Sequence, residues 1–242
     1  MKFIGNLFII IMLYILPLII YLKSVTFNKN SGLIKSIVTI GYIGIYFLLP
    51  EMFTNILPFI LILFILIHWK NSEEYRKEYE KYRFSLGEFK LRKAIKYVAI
   101  TYGLILIAAT ISYYVLLFFN IPMEQQDVVT MLDNYDLISF SITVPFTVIF
   151  APVVEEFTFR YILFSKLFRD NLNRRVSFLT TAFIVSTLFA GAHFSITAFA
   201  MLFTISFYNC YLIEKKGFWY AVFTHVVING VTTTALLVNK LL

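Results

Sequence analysis

Three ionisable residues fall within six positions of an otherwise apolar stretch: Glu155, Glu156 and Arg160 in SFSITVPFTVIFAPVVEEFTFRYILF. Charged side chains at bilayer depth cost about 2.5–3.5 kcal/mol each on insertion, so they mark a functional site facing the protein interior or a water-filled cavity. Glu156 and Arg160 stand at i and i+4, share a helical face and can pair. A buried carboxylate without a partner would be driven to its neutral form. The arginine can therefore hold Glu156 charged and fixed. Glu155 is rotated about 100° away and is free to act as a base. The alternative for these acids is a buried ion-pair network that only fixes helix packing.

Two more polar positions stand in later apolar runs. His193 closes LFAGAHF, and His225 and Asn229 sit at i and i+4 in THVVING. Each histidine alone could be a packing hydrogen bond. Depth counts them together. At about 1.5 Å per residue, Glu155 lies roughly 15 Å from the basic end of its span, His225 roughly 10 Å, Asn229 roughly 17 Å and His193 roughly 24 Å. All four can converge. A carboxylate base acting on water, with imidazole and amide donors at an oxyanion, fits this set. So does a metal held by His193, His225 and Glu155. Both chemistries hydrolyse an amide. His68, beside Trp69 and Lys70 at the end of a run, reads as an interfacial anchor. The single cysteine, Cys210, has no partner for a disulfide and reads as a small buried apolar residue.

The elements that position these residues are membrane helices. The chain has 242 residues, 60% hydrophobic and 14% charged, with a mean hydropathy of +0.79. Soluble domains average about 45–50% apolar and about 25% charged. The expected fold is an all-α polytopic transmembrane bundle of about eight spans, near 3–22, 33–49, 52–69, 94–119, 138–164, 177–193, 196–213 and 218–239. The first run lacks a small-x-small cleavage site and exceeds a signal segment of about 7–15 residues, so it reads as an uncleaved span. Three regions follow: 1–93, helices plus a cytoplasmic interfacial loop; 94–137, the fourth span and an acidic outer loop; 138–242, the core carrying the polar residues.

The net charge of +7 is explained by topology, and no nucleic-acid partner is expected. Lys and Arg gather in alternate loops: Lys23, Lys29 and Lys35; eight of them across 70–93; Lys166, Arg169, Arg174 and Arg175; Lys215 and Lys216. Residues 120–137 hold Glu124, Asp127, Asp133 and Asp136 and no base. The positive-inside rule then puts both termini outside. The long polar stretch NSEEYRKEYEKYRFSLGEFKLRK reads as an interfacial helix, with Glu73/Lys77 and Arg76/Glu80 at i,i+4 and Tyr75, Tyr79 and Tyr82 on one face.

Glu155-Glu156-Phe157-Thr158-Phe159-Arg160, then Phe189-Ala190-Gly191-Ala192-His193, then His225-Val226-Val227-Ile228-Asn229, in this order on successive spans, resembles the CPBP intramembrane proteases. That family includes the type II CAAX prenyl endopeptidases and the bacterial Abi or lysostaphin-resistance-A-like proteins. The resemblance covers roughly residues 138–239. It implies a glutamate-dependent endopeptidase in which Glu155 activates water with His193, His225 and Asn229 stabilise the oxyanion, and Glu156, Arg160 and Phe189 support the site. Asparagine is a poor zinc ligand, which favours a scheme without metal over a zinc-dependent one. Rich Ile, Phe, Asn and Lys usage suits a low-GC bacterial source, hence a bacterial cell membrane and a membrane-associated peptide or protein as substrate. The alternatives are a scaffold or bacteriocin-immunity protein of the same fold, or an ion-coupled carrier. Against the carrier, the spans show no paired half-repeats with matching breaks.

Overall fold

Long apolar runs must satisfy their backbone internally in lipid, and a helix does so within one segment. The computed structural model describes residues 7–24, 31–50, 53–170 and 178–242, and these form helices and turns with no strand among them. The helices are α1 (Leu7–Ser24), α2 (Ser31–Leu48), α3 (Ile56–Asn71), α4 (Glu73–Lys81), α5 (Leu91–Phe118) and α6 (Asp127–Asn134). They continue with α7 (Leu137–Phe168), α8 (Phe178–Gly191), α9 (Ile196–Lys215) and α10 (Phe218–Leu241). All eight expected spans are present as apolar helices. Five of them, α1, α5, α7, α9 and α10, are long and apolar enough to cross a membrane. α3 makes a sixth only together with the segment after it, bent by 111°, while α2 and α8 are shorter. The basic residues Lys29, Arg174 and Arg175 lie outside the described residues.

The polar stretch expected to be helical forms α4. Arg76 and Glu80 pair at 3.1 Å on its exposed face, and Tyr75 and Tyr79 pack against the core. Trp69, next to His68, turns toward the protein interior. It is 2% exposed and joins an aromatic cluster with Phe84, Phe157 and Tyr161. The bend after Asn71 turns this end of α3 inward, which buries the indole.

A strap, residues 82–90, leads from α4 to α5 and is tied to the α9–α10 turn. Phe218 N donates to the Tyr82 carbonyl at 3.1 Å, and Trp219 Nε1 donates to the Phe84 carbonyl at 2.6 Å. Gly217 makes this contact possible. Its φ is +112°, and a Cβ there would meet Arg83 Cβ at 2.7 Å, so neither the conformation nor the space suits another residue. The core cluster draws on α3, the strap, α7, α8, α9 and α10. α3 and the strap thus share one interior with the C-terminal helices, while α2 packs on α1 and α3 in a separate cluster.

Candidate active site

α7 carries both acids and is not a plain α-helix. After Pro145 the backbone bonds lengthen to i→i−5 over Phe146–Phe150, where Ala151 N donates to the Phe146 carbonyl. Residue 152 would supply the next such bond, but it is proline and has no N–H. Asn229 Nδ2 donates to the Thr147 carbonyl at 3.1 Å instead. This contact docks α10 on α7 and sets the depth of Asn229. A second wide-turn stretch runs Glu156–Asp170; such turns often accompany functional sites.

Glu156 and Arg160 are both fully buried, with Arg160 Nε 3.1 Å from Glu156 Oε2. They pair as their spacing predicts. The pair is electrostatic rather than a directed hydrogen bond, because among the described residues no N–H of Arg160 is aimed at an acceptor. The guanidinium lies over the Phe189 ring, 4.1 Å from its centroid, a cation–π contact strengthened by desolvation. The other carboxylate oxygen, Oε1, accepts from His225 Nδ1 at 2.8 Å and from Asn209 Nδ2 at 3.0 Å. Asn209 also donates to the Ala221 carbonyl at 3.3 Å and so ties α9 to α10 beside Glu156.

Glu155 faces the other way. Its side chain is 17% exposed, and its Oε2 lies 3.7 Å from His225 Nε2. The His225 ring therefore sits between the two acids, with one nitrogen toward each. His193 Nδ1 donates to the Phe189 carbonyl at 2.8 Å. In the neutral ring this fixes the tautomer and leaves Nε2 as an acceptor. Phe189 is the hub: its ring lies 4.8 Å from His193 and 5.9 Å from His225, centroid to centroid. This explains the phenylalanine four residues before His193.

A cavity of about 550 Å³ gathers Glu155, Phe189, His193, His225 and Asn229 on its wall. Glu156 and Arg160 stand behind that wall. Among the described residues no three His, Cys, Asp or Glu side chains are grouped to hold a metal ion. His193, His225 and Glu155 share the wall of the cavity. Sequence reasoning passed over Asn209. The available signal was an amide in the middle of the apolar run FTISFYNCYLI, where a polar side chain marks an interhelical hydrogen bond. Cys210 beside it is fully buried, as expected.

Fold and site together define an integral membrane protein whose helical bundle encloses a carboxylate–imidazole–amide centre. Residues 137–231 match the family model described as type II CAAX prenyl endopeptidase Rce1-like, and over that segment the chain is similar to the CPBP proteases. No curated protein and no solved structure matches the chain. The family supports a CAAX-type intramembrane protease.

Proposed function

We propose that this protein is an intramembrane endopeptidase that hydrolyses a peptide bond in a membrane-associated peptide or protein, with Glu155 activating water and no resident metal. The observation that carries this reading is a cavity whose wall brings together Glu155, His193, His225 and Asn229. A water between Glu155 and His193 Nε2 can give one hydrogen bond to each acceptor. Its oxygen is then directed at the scissile carbonyl. Glu155 takes the proton as the C–O bond forms and returns it to the amine nitrogen as the C–N bond breaks.

The tetrahedral oxyanion needs donors in a dry site. Asn229 gives one N–H to Thr147 and has a second for the oxyanion. His225 serves Glu156 through Nδ1; to donate through Nε2 as well, the ring must carry both protons. Glu156 and Arg160 hold this imidazole in place. The basic loops lie on the cytoplasmic side of a bacterial cell membrane, with both termini outside.

The test compares peptide termini in membranes from cells carrying the wild-type protein or Glu155→Ala at equal expression. New termini that depend on Glu155 are expected. Identical termini, with the cellular phenotype retained by the variant, would favour the scaffold or immunity reading.

A further inference from the structure

The two ends of the bundle differ in how they meet the site. His225 is seven residues into α10, roughly 10 Å from the basic end at about 1.5 Å per residue. That shorter way is closed. Phe157 and Tyr161, on the same helix as Glu156, pack with Trp69, Tyr82, Phe84 and Phe218, all 6% exposed or less. Glu78 of α4 fastens this plug by accepting from Tyr161 Oη at 2.9 Å and from Lys166 Nζ at 2.7 Å. Arg83 Nη1 donates to the Lys215 carbonyl at 3.2 Å, which holds the strap across the same end. None of these residues lines the cavity.

The cavity runs the other way. Away from the acids its wall is Phe8 and Met12 of α1, Leu202 of α9, Leu236 of α10, and Gln126 with Leu132 at α6. Those positions lie toward the acidic end, because α1 meets α4 at its opposite end, where Tyr75 Oη donates to the Lys23 carbonyl at 3.4 Å. The segment 120–137 is anchored across this mouth. Glu124 N donates to Thr197 Oγ1 at 3.1 Å, and Lys240 Nζ donates to the Asp133 and Tyr135 carbonyls. The Lys240 amine is thus engaged with main-chain oxygens. Glu124, Asp127 and Asp133 are exposed.

We infer that the substrate is a peptide segment reaching the site from the acidic end, apolar where it fills the cavity and carrying lysine or arginine where it meets Glu124, Asp127 and Asp133. The charge of the mouth selects this occupant, since an acidic flank would be repelled there. This rests on the proteolytic reading for the word substrate, while the route and the charge preference are physical properties testable without turnover.

The experiment uses the full chain with Cys210→Ala and Glu155→Gln. Leu202→Cys is placed in the cavity wall, and Asp127→Cys and Glu74→Cys serve as markers of the two ends. A charged, membrane-impermeant methanethiosulfonate is applied to right-side-out and inverted membranes. Leu202→Cys is expected to react in the preparation that labels Asp127→Cys and to be protected in the one that labels Glu74→Cys. Reaction from the Glu74 side, or from neither side, overturns the route.

The second arm measures binding of two fluorescent peptides with the same apolar core, one flanked by two lysines and one by two glutamates, to the Glu155→Gln protein in nanodiscs. About ten-fold tighter binding of the lysine peptide is expected from two exposed ion pairs. The preference should reverse with Asp127→Lys plus Asp133→Lys. Equal affinities overturn the assigned occupant. Cleavage of the lysine peptide by the wild-type protein is scored separately. Its absence, with both physical results obtained, would count against proteolysis and not against the route.

Discussion

Glu155 and Glu156 are neighbours on α7, yet their surroundings are built on opposite lines. Around Glu156 every contact is protein: Arg160, Asn209 and His225 converge on one carboxylate that has no exposure. Around Glu155 the protein steps back, leaving a cavity on one side and a single imidazole at 3.7 Å on the other. A fully engaged carboxylate can hold structure but has no room for a reactant. A carboxylate with one loose partner and an adjoining cavity can meet water. The difference teaches that one step along a helix, about 100° of rotation, can separate a carboxylate locked into the structure from one left open to a cavity.

The contrast is broken most severely by Arg160→Ala. It leaves Glu156 as an uncompensated buried charge, a loss of about 3–5 kcal/mol in comparable cases, and a large fall in melting temperature should follow in detergent. Arg160→Met combined with Glu156→Gln should recover much of that loss, because no charge is then stranded. A normal melting temperature for Arg160→Ala would remove the pair from the account.

Asn209→Ala acts on the same carboxylate more gently. It deletes one hydrogen bond to Glu156 and one to Ala221, and about 1–3 kcal/mol of stability should be lost. Turnover should fall with it, because His225 is aligned through Glu156; the kcat would drop more than KM rises.

The smallest effect expected lies at the mouth of the bundle, outside the span. Ser139 donates to Asp136 through its backbone N–H at 2.8 Å and through its hydroxyl at 3.1 Å. The backbone bond first, and the hydroxyl bond second, hold the Asp136 carboxyl below its usual range. A lowered folded value means that the stabilisation is present above the unfolded value, about 3.9, and is lost as pH falls through the folded one. Protection of the Ser139 amide from hydrogen exchange, taken against the intrinsic rate at each pH, should therefore fall below about pH 4 in the wild type. Asp136→Asn, which still caps the helix, should flatten that dependence.

Much of the site was legible because its parts are local. Glu156 and Arg160 pair by i,i+4 arithmetic, and His225 and Asn229 share a face for the same reason. The turn after α8 showed in the sequence only as the narrow gap between the runs 177–193 and 196–213; Phe194 adopts φ +48° there, and Ser195 caps α9 by accepting from Ala198 N. What sequence could not give were contacts between distant segments. The placement of His225 between the two acids joins residues 69 apart. The reach of Asn229 to Thr147 depends on a carbonyl that Pro152 cannot serve. The plug at the basic end forms because Tyr82, Phe84 and Trp69 fold onto Phe157 and Tyr161, and no period in the chain announces that meeting. Span length was also misjudged at a helix start: the run 52–69 reads as a full span, but the helix α3 begins only at Ile56.

The central claim is that Glu155 does the chemistry and Glu156 holds the frame. The most direct measurement sets purified Glu155→Gln beside Glu156→Gln, recording the cleavage rate of a membrane peptide and the melting temperature of each. Glu155→Gln should lose at least about 10²-fold in rate with its melting temperature unchanged, and Glu156→Gln should melt earlier as well as turn over more slowly. Full activity in Glu155→Gln would contradict the account, as would a loss of activity that merely follows its loss of stability.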